Sequence, residues 1–325
     1  MRLRPWMFPL VLSAAAAVAA CSSSGSGSGP AASGSPAGSG APSPGAATGS
    51  SASDANPQEE PGVKVVQAGA EPRTRLRYSV AANTTETLVL EQSRSEGMVG
   101  QKPRTLPPSK LTLALSVKSK SPAGESDGSY EVKEATFGGD SKPTGAVASE
   151  IQKALSKLIG ARGNFVVSDR GHVRKVEPVS PPGADAVTAQ AIIGLADSMQ
   201  VAFVTLPAAA VGPGARWEHS FDSRQSGINV KVVARYELVS ITGTEVKLKV
   251  TSTQEAAKQT MDLGGGQKLD ITGYKTEGTG DITLSTTHLS PRAMTTETKG
   301  GMILEGLGKA PKEVKLTIRV DIKGT

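Results

Sequence analysis

In Val314-Lys-Leu-Thr-Ile-Arg-Val-Asp-Ile322 every second residue is aliphatic, and Lys315, Thr317, Arg319 and Asp321 between them are polar. A period of two sends alternate side chains to opposite faces, so this stretch reads as a strand with one buried and one wet face. Leu111, Leu113, Leu115 and Val117 alternate in the same way, as do Val246, Leu248 and Val250. Further strands are expected near 76–92, 129–137, 228–240 and 268–285. Two segments carry the helical period instead. Ile151, Leu155, Leu158 and Ile159 form an i, i+4, i+7, i+8 stripe; Ser149 stands as its cap, with Gln152 completing a capping box and Gly160 where the helix would end. The second helix is expected from about Ala184 to Phe203, with Ile192, Leu195, Met199, Ala202 and Phe203 as its apolar face and Pro207 beyond its end.

These elements give a mainly β chain with a few helices (α+β) around an antiparallel sheet. Aromatic residues are only 3% of the chain, and the many β-branched residues suit strands with small packing units. An internal repeat is also legible. Gly163-Asn-Phe-Val-Val-Ser168 leads through Asp169-Arg-Gly171 to His172–Val176, and Gly280-Asp-Ile-Thr-Leu-Ser285 leads through Ser290-Pro291 to Ala293–Thr298. Both read as hairpins with turn chemistry at the tip. They divide the folded part into repeats of about 75–205 and 206–325, an arrangement of two half-barrels with helices across one face.

The first sixty residues follow other rules. Arg2 and Arg4 precede an apolar stretch from Trp6 to about Leu12 and the small-residue run Ser13–Ala20. A spanning helix needs about 20 mainly apolar residues, so a processed export signal fits better. Val18-Ala19-Ala20-Cys21 resembles the lipobox of bacterial lipoproteins. The resemblance implies cleavage after Ala20, thioether lipidation of Cys21 and acylation of the new amine. Stable anchoring needs more than one acyl chain. Ser22, in place of Asp, implies the outer membrane under enterobacteria-like sorting. Residues 22–53 are almost wholly Ser, Gly, Ala and Pro and cannot bury enough apolar surface to offset ordering entropy. The organisation expected is thus a signal peptide at 1–20, a tether at 21–62 spanning roughly 35 Å end to end as a random coil, and a β-rich globular domain at 63–325.

The formal charge of +6 falls to +4 once Arg2 and Arg4 leave with the signal. The cations are scattered, which argues against nucleic acid as a partner. Cys21 is the only cysteine, so neither an internal disulfide nor a cysteine metal cluster can form. His172, His219 and His288 have no second histidine at i+3 or i+4 and are expected at surface strand or turn positions. Trp217-Glu218-His219 is dense in polar chemistry, but neighbours along a strand face opposite sides. No nucleophile-elbow, Ser-x-x-Lys or phosphate-loop motif is present; Gly264-Gly-Gly266 reads as a hairpin or bulge. Glu59, Glu60 and Asp127 are expected in loops, without partners at carboxylate-pair spacing. No catalytic residue, metal ligand or cofactor is expected.

Leu206-Pro207, Val211-Gly-Pro-Gly-Ala-Arg-Trp217, Tyr236-Glu-Leu238, Gly278-Thr-Gly280 and the opening Leu76-Arg-Tyr78 resemble turn and strand motifs of an uncharacterised family of bacterial lipoproteins over about 75–325. That resemblance implies no activity. The order of strands, helix and then Gly163-Asn-Phe165 is also similar to the periplasmic lipoprotein carriers. These are antiparallel half-barrels that hold acyl chains between sheet and helices, though they are shorter and richer in aromatics. It implies an apolar cavity lined by Phe165, Ile192, Leu195, Met199, Phe203 and Trp217, residues of kinds that are more often plain core.

The leading expectation is a membrane-anchored, exported, non-enzymatic lipoprotein that binds an envelope partner or acts as an envelope component. The second is a carrier of lipid or another apolar ligand in a half-barrel cavity, and the third an enzyme with an unrecognised site.

Overall fold

The computed structural model describes residues 58–139, 144–180, 183, 185–199, 202–225, 228–262, 268–306 and 310–325. The lipobox, the tether up to residue 57 and the glycine run 264–266 lie outside them. The chain opens with β1 (Val63–Gln67), then a meander of β2 (Thr84–Met98), β3 (Arg104–Lys120) and β4 (Ser126–Phe137). Helix α1 (Ala146–Ser156) leads to the hairpin β5 (Arg162–Val167) and β6 (Val173–Val179), followed by α2 (Ala186–Met199). A second meander runs through β7 (Arg216–Gln225), β8 (Ile228–Thr242), β9 (Glu245–Ala256), the short β10 (Gln259–Asp262), β11 (Lys268–Ser285), β12 (Ala293–Glu305) and β13 (Lys312–Gly324).

All strand pairs are antiparallel and belong to one open sheet. Its order is β1-β7-β8-β9-β11-β12-β13-β2-β3-β4-β5-β6, with β10 on the side of β11. The two meanders join where β13 pairs with β2. The period-two pattern is realised strand by strand: in β8, Val230, Val232, Ala234, Tyr236 and Leu238 are buried while Asn229, Lys231 and Arg235 are exposed. The buried faces form one core along the inside of the curled sheet.

Cross-strand register stacks the inner face in rows. One row, Leu111–Leu90–Ile322–Met294–Ile282–Leu248–Leu238, is wholly apolar. Two rows further along, Arg94–Ile318–Thr298–Gly278–Ser252–Ala234–His219 mixes polar and small residues with apolar ones. A glycine stands in the middle of this row: a Cβ on Gly278 would lie 2.6 Å from Ser252 Oγ and 2.8 Å from Thr298 Oγ1. The neighbours thus fill the space that a side chain would take.

The Gly-x-aromatic pattern of the sequence has a structural cause. Gly128 on β4 stands opposite Phe165 on β5, and Tyr130 on β4 opposite Gly163 on β5. Each ring lies over the facing glycine, and a Cβ on Gly163 would come within 2.6 Å of the Tyr130 hydroxyl. A Cβ on Gly128 would lie 2.7 Å from the Ser116 carbonyl oxygen and closer still to the Phe165 ring. Gly128→Val should therefore displace both ring and backbone and cost about 2–3 kcal/mol. Urea unfolding measures this, and an unchanged midpoint would count against the reciprocal packing.

Several expectations are corrected. Residues 76–80 are not strand. Tyr78 N–H donates to Asp169 O and Ser79 N–H to Thr286 O, both at 2.6 Å, so this segment crosses the tips of the hairpins β5–β6 and β11–β12. Its alternation of Leu76, Tyr78 and Val80 buries one side of a bridging segment. Helix α1 starts a turn earlier than the Ser149 box implies: its N-cap is Gly145, without a side-chain cap bond. Ser149 N–H instead donates to Gly145 O. Of the α1 stripe, Ile151, Leu155 and Leu158 are buried, while Ile159, beyond the helix, is 52% exposed. For α2 the cap is Asp185, whose Oδ1 accepts from the Thr188 backbone N–H and hydroxyl, each at 2.7 Å. Helix α2 ends at Met199, short of Phe203.

Candidate functional site: the seam and the inner face

The two ends of the sheet path approach each other at a seam, and the segment 58–67 is the clasp across it. Strand β1 pairs with β7, with Val63 opposite His219 and Val65 opposite Trp217. Just before it, Glu60 reaches the other side: Arg174 Nη2 on β6 lies 2.9 Å from Oε2 and Arg170 Nη2, in the β5–β6 turn, 3.1 Å from Oε1. The Glu60 side chain is 1% exposed. Arg170 Nη1 also donates to Gln58 O at 2.9 Å. The Glu59 carboxylate accepts from Ala208 N–H at 2.7 Å and Ala209 N–H at 3.2 Å. Both carboxylates stand in the loop expected for them, before β1, and are held there by arginines and backbone N–H groups. Asp127 lies on β4 rather than in a loop and accepts from Ser119 Oγ at 3.0 Å.

Beside Glu60 sit two histidines, buried rather than at the surface. His172 is 1% exposed and His219 0%, and their ring centroids are 6.4 Å apart. Burial pushes the His172 imidazole below its usual range, with Arg174 and Arg170 adding to the effect and Glu60 opposing it. Burial, with the neighbouring His172, pushes His219 down to about 3, against a hydrogen bond to the Pro61 carbonyl. Both rings are therefore neutral at pH 7. His219 is in phase with Trp217 and Phe221 on β7, all inward, while Glu218 faces out to Arg235 at 2.7 Å. The remaining histidine, His288, is half-buried.

A second buried carboxylate closes the same end of the sheet. Glu86, 5% exposed on β2, accepts from Leu289 N–H and Ser290 N–H at 2.9 Å each and from Ser290 Oγ at 2.6 Å.

The six residues proposed to line a cavity are all brought into the one core. Phe165, Ile192, Leu195, Met199, Phe203 and Trp217 are 0–3% exposed. The rings of Phe165 and Phe203 lie 5.6 Å apart. Trp217 stacks on Tyr236 at 5.2 Å and donates its indole N–H to Thr205 O at 3.1 Å. At the other end of the inner face, polar side chains stand among apolar ones. Arg94 on β2 pairs with Glu96 at 2.8 Å, each about a quarter exposed. The Tyr274 hydroxyl donates to Gln254 Oε1 at 3.3 Å. Met98 and Val314 face each other across β2 and β13, with Met302 opposite Val314. Sequence reading missed this polar patch because Gln92, Arg94 and Glu96 continue the buried phase of Leu88 and Leu90 with charged residues, where the apolar signal stops.

Among the described residues no group of three or more His, Cys, Asp or Glu is placed to hold a metal ion. No described helix is long and apolar enough to cross a membrane. Residues 193–288, from α2 to the tip of the β11–β12 hairpin, match the model of a family of unknown function (DUF6263). No curated protein matches the chain. Among solved structures, the chain is similar to lipovitellin, in a structure titled for lipid–protein interactions, at 10% identity and a TM-score of 0.43. The match covers 76% of this chain and 25% of that one, so the chain spans about a quarter of the lipovitellin length. It is also similar to an outer membrane channel from Pseudomonas putida F1 (10% identity, TM-score 0.20, 77% of this chain and 98% of that one). A third likeness is to the Vibrio cholerae outer membrane protein OmpT (8% identity, TM-score 0.19, 74% and 100%).

Proposed function

We propose that this chain is an exported lipoprotein, held in the outer membrane through lipid on Cys21, whose folded part is a non-enzymatic binding or structural component of the cell envelope. The observation that carries the non-enzymatic reading is where the buried ionisable groups are engaged. The two buried carboxylates are both turned to closing the fold, Glu60 ion-paired between two arginines and Glu86 accepting from two backbone N–H groups and the Ser290 hydroxyl. A catalytic group needs at least one polar atom turned to a reacting partner. The clasp supports the anchoring reading too: the chain coming from the tether is fixed to the domain at Gln58–Gln67, so tension on the tether meets a built attachment.

Cys21→Ser is expected to move the full-length protein from the membrane to the soluble fraction with its unfolding midpoint unchanged. A variant that stays with the membrane would refute the anchor.

A second reading, a carrier of an apolar ligand, is favoured by the mixed inner face around Arg94, Glu96, Tyr274 and Met302. In this reading the meanders β2–β6 and β7–β13 are two repeated half-barrels sharing one interior. Intact-complex mass spectrometry of the Cys21→Ser protein should then show bound lipid, and a uniformly ligand-free protein would sink the carrier.

A further inference from the structure

The strand ends farthest from the clasp carry an unusual surface. Among the described residues, five of the eight exposed large apolar side chains, Met98, Val99, Ile159, Val179 and Ile303, lie at this one end of the sheet. Met98 is 37% exposed, Val99 52% and Ile303 37%. They belong to neighbouring strand ends, since Met98 pairs with Val314, Val99 N–H donates to Glu313 O, and Ile303 pairs with Glu313.

The charges around them are lopsided. Four carboxylates of this end are engaged: Glu96 with Arg94, Asp185 with Lys157, and Asp270 and Glu305 both with Lys258; Glu313, opposite Ile303, is exposed and in no ion pair with a described residue, one carboxylate against the three cations that follow. Lys102 and Arg104, in and after the β2–β3 turn beside Val99, are exposed and in no ion pair with a described residue. Lys312, at the start of β13 opposite Leu304, is also in none. An apolar tip ringed by spare cations fits one kind of partner. The aliphatic and thioether groups enter the boundary between headgroups and acyl chains, and the cations meet lipid phosphates. A protein partner of ordinary size would need no such excess of one sign at an exposed rim.

We infer that this end of the sheet docks on an anionic lipid surface, through Val99 and Ile303 with Lys102, Arg104 and Lys312 around them. The clasp lies away from this rim. The inference stands on the rim alone and does not depend on Cys21 being lipidated.

The test uses the full-length Cys21→Ser chain, so that no acyl group takes part. It is sedimented with vesicles of phosphatidylcholine alone and of phosphatidylcholine mixed with phosphatidylglycerol. Binding is expected only to the mixed vesicles and should fall as salt rises. The pair Val99→Glu and Ile303→Glu should weaken it by about ten-fold or more, as should Lys102→Glu with Arg104→Glu. Val239→Glu, exposed on β8 at the other end, should leave it unchanged. Each variant's unfolding midpoint is compared with the parent's, and surface positions of this kind should shift it little. Failure of the parent to bind mixed vesicles, or equal binding by the folded rim variants, overturns the inference. Fractionation of the lipidated protein reads the anchor separately.

Discussion

Glu60→Ala is expected to cost about 3–5 kcal/mol, the range for breaking a buried ion pair by removing one partner. The carboxylate is 1% exposed and sits between two guanidinium groups at 2.9 and 3.1 Å. Arg174 is more than a third exposed and can turn to solvent or to Glu125, already 3.3 Å away. Arg170 is 14% exposed and has less freedom, so most of the cost comes from leaving its charge without its buried counterpart. The lesion is also local. Glu60 stands three residues before β1, and Val63 N–H donates to Glu60 O at 3.0 Å. Amide exchange should therefore rise first in β1 and along its partner stretch Arg216–His219, before the β2–β3–β4 meander responds. Glu60→Gln keeps the shape and one acceptor while removing the charge, and should fall between the parent and the alanine variant. An alanine variant with the parent's stability and unaltered exchange in β1 would show that the clasp is ornamental and that β1 holds by pairing alone.

Much of this fold was legible in the alternation. The strands read from Leu111–Val117, Val246–Val250 and Val314–Ile322 all appear, and each lies within a longer strand. Alternation is a direct consequence of burying one face, and the curled sheet has one inner face throughout. What alternation cannot give is the partner of each strand. The joining of β13 to β2, more than 200 residues apart in the chain, rests on long-range register that no local pattern encodes.

The site was partly legible for the same reason. The two helical segments followed from apolar spacing, whereas Trp217 entered only through the family and carrier resemblances. His219 was readable as inward from its phase with Trp217 and Phe221, but a lone histidine weighs little in a hydrophobicity pattern. Glu60 carried no local signal at all. Its burial is created by Arg170 and Arg174, brought to it from over a hundred positions away.

Lowering the pH from 6.5 should destabilise the fold steeply, because the buried histidines must charge when it unfolds. The folded-state value of His219 is depressed to about 3 from an ordinary 6.5, so the unfolded chain binds the proton first. Stability from this group is fully present above pH 6.5 and is lost as pH falls from there towards 3. Each pH unit inside that window removes about 1.4 kcal/mol, or roughly 3 kcal/mol by pH 4.5 from His219 alone. His172 acts in the same direction, moderated by the Glu60 carboxylate and reinforced by Arg174 and Arg170. Carboxylates elsewhere also titrate below pH 5, so the informative quantity is the difference between the parent and His219→Gln. Glutamine stays neutral and keeps a donor for the Pro61 carbonyl. Urea midpoints between pH 7.5 and 4.5 should fall less steeply for the variant, by about 1.4 kcal/mol per unit below pH 6. Parallel curves for the two proteins would mean that His219 charges as easily folded as unfolded. The ring would then have to be reached by water at the seam, and the clasp would be looser than its ion pairs and strand pairing imply.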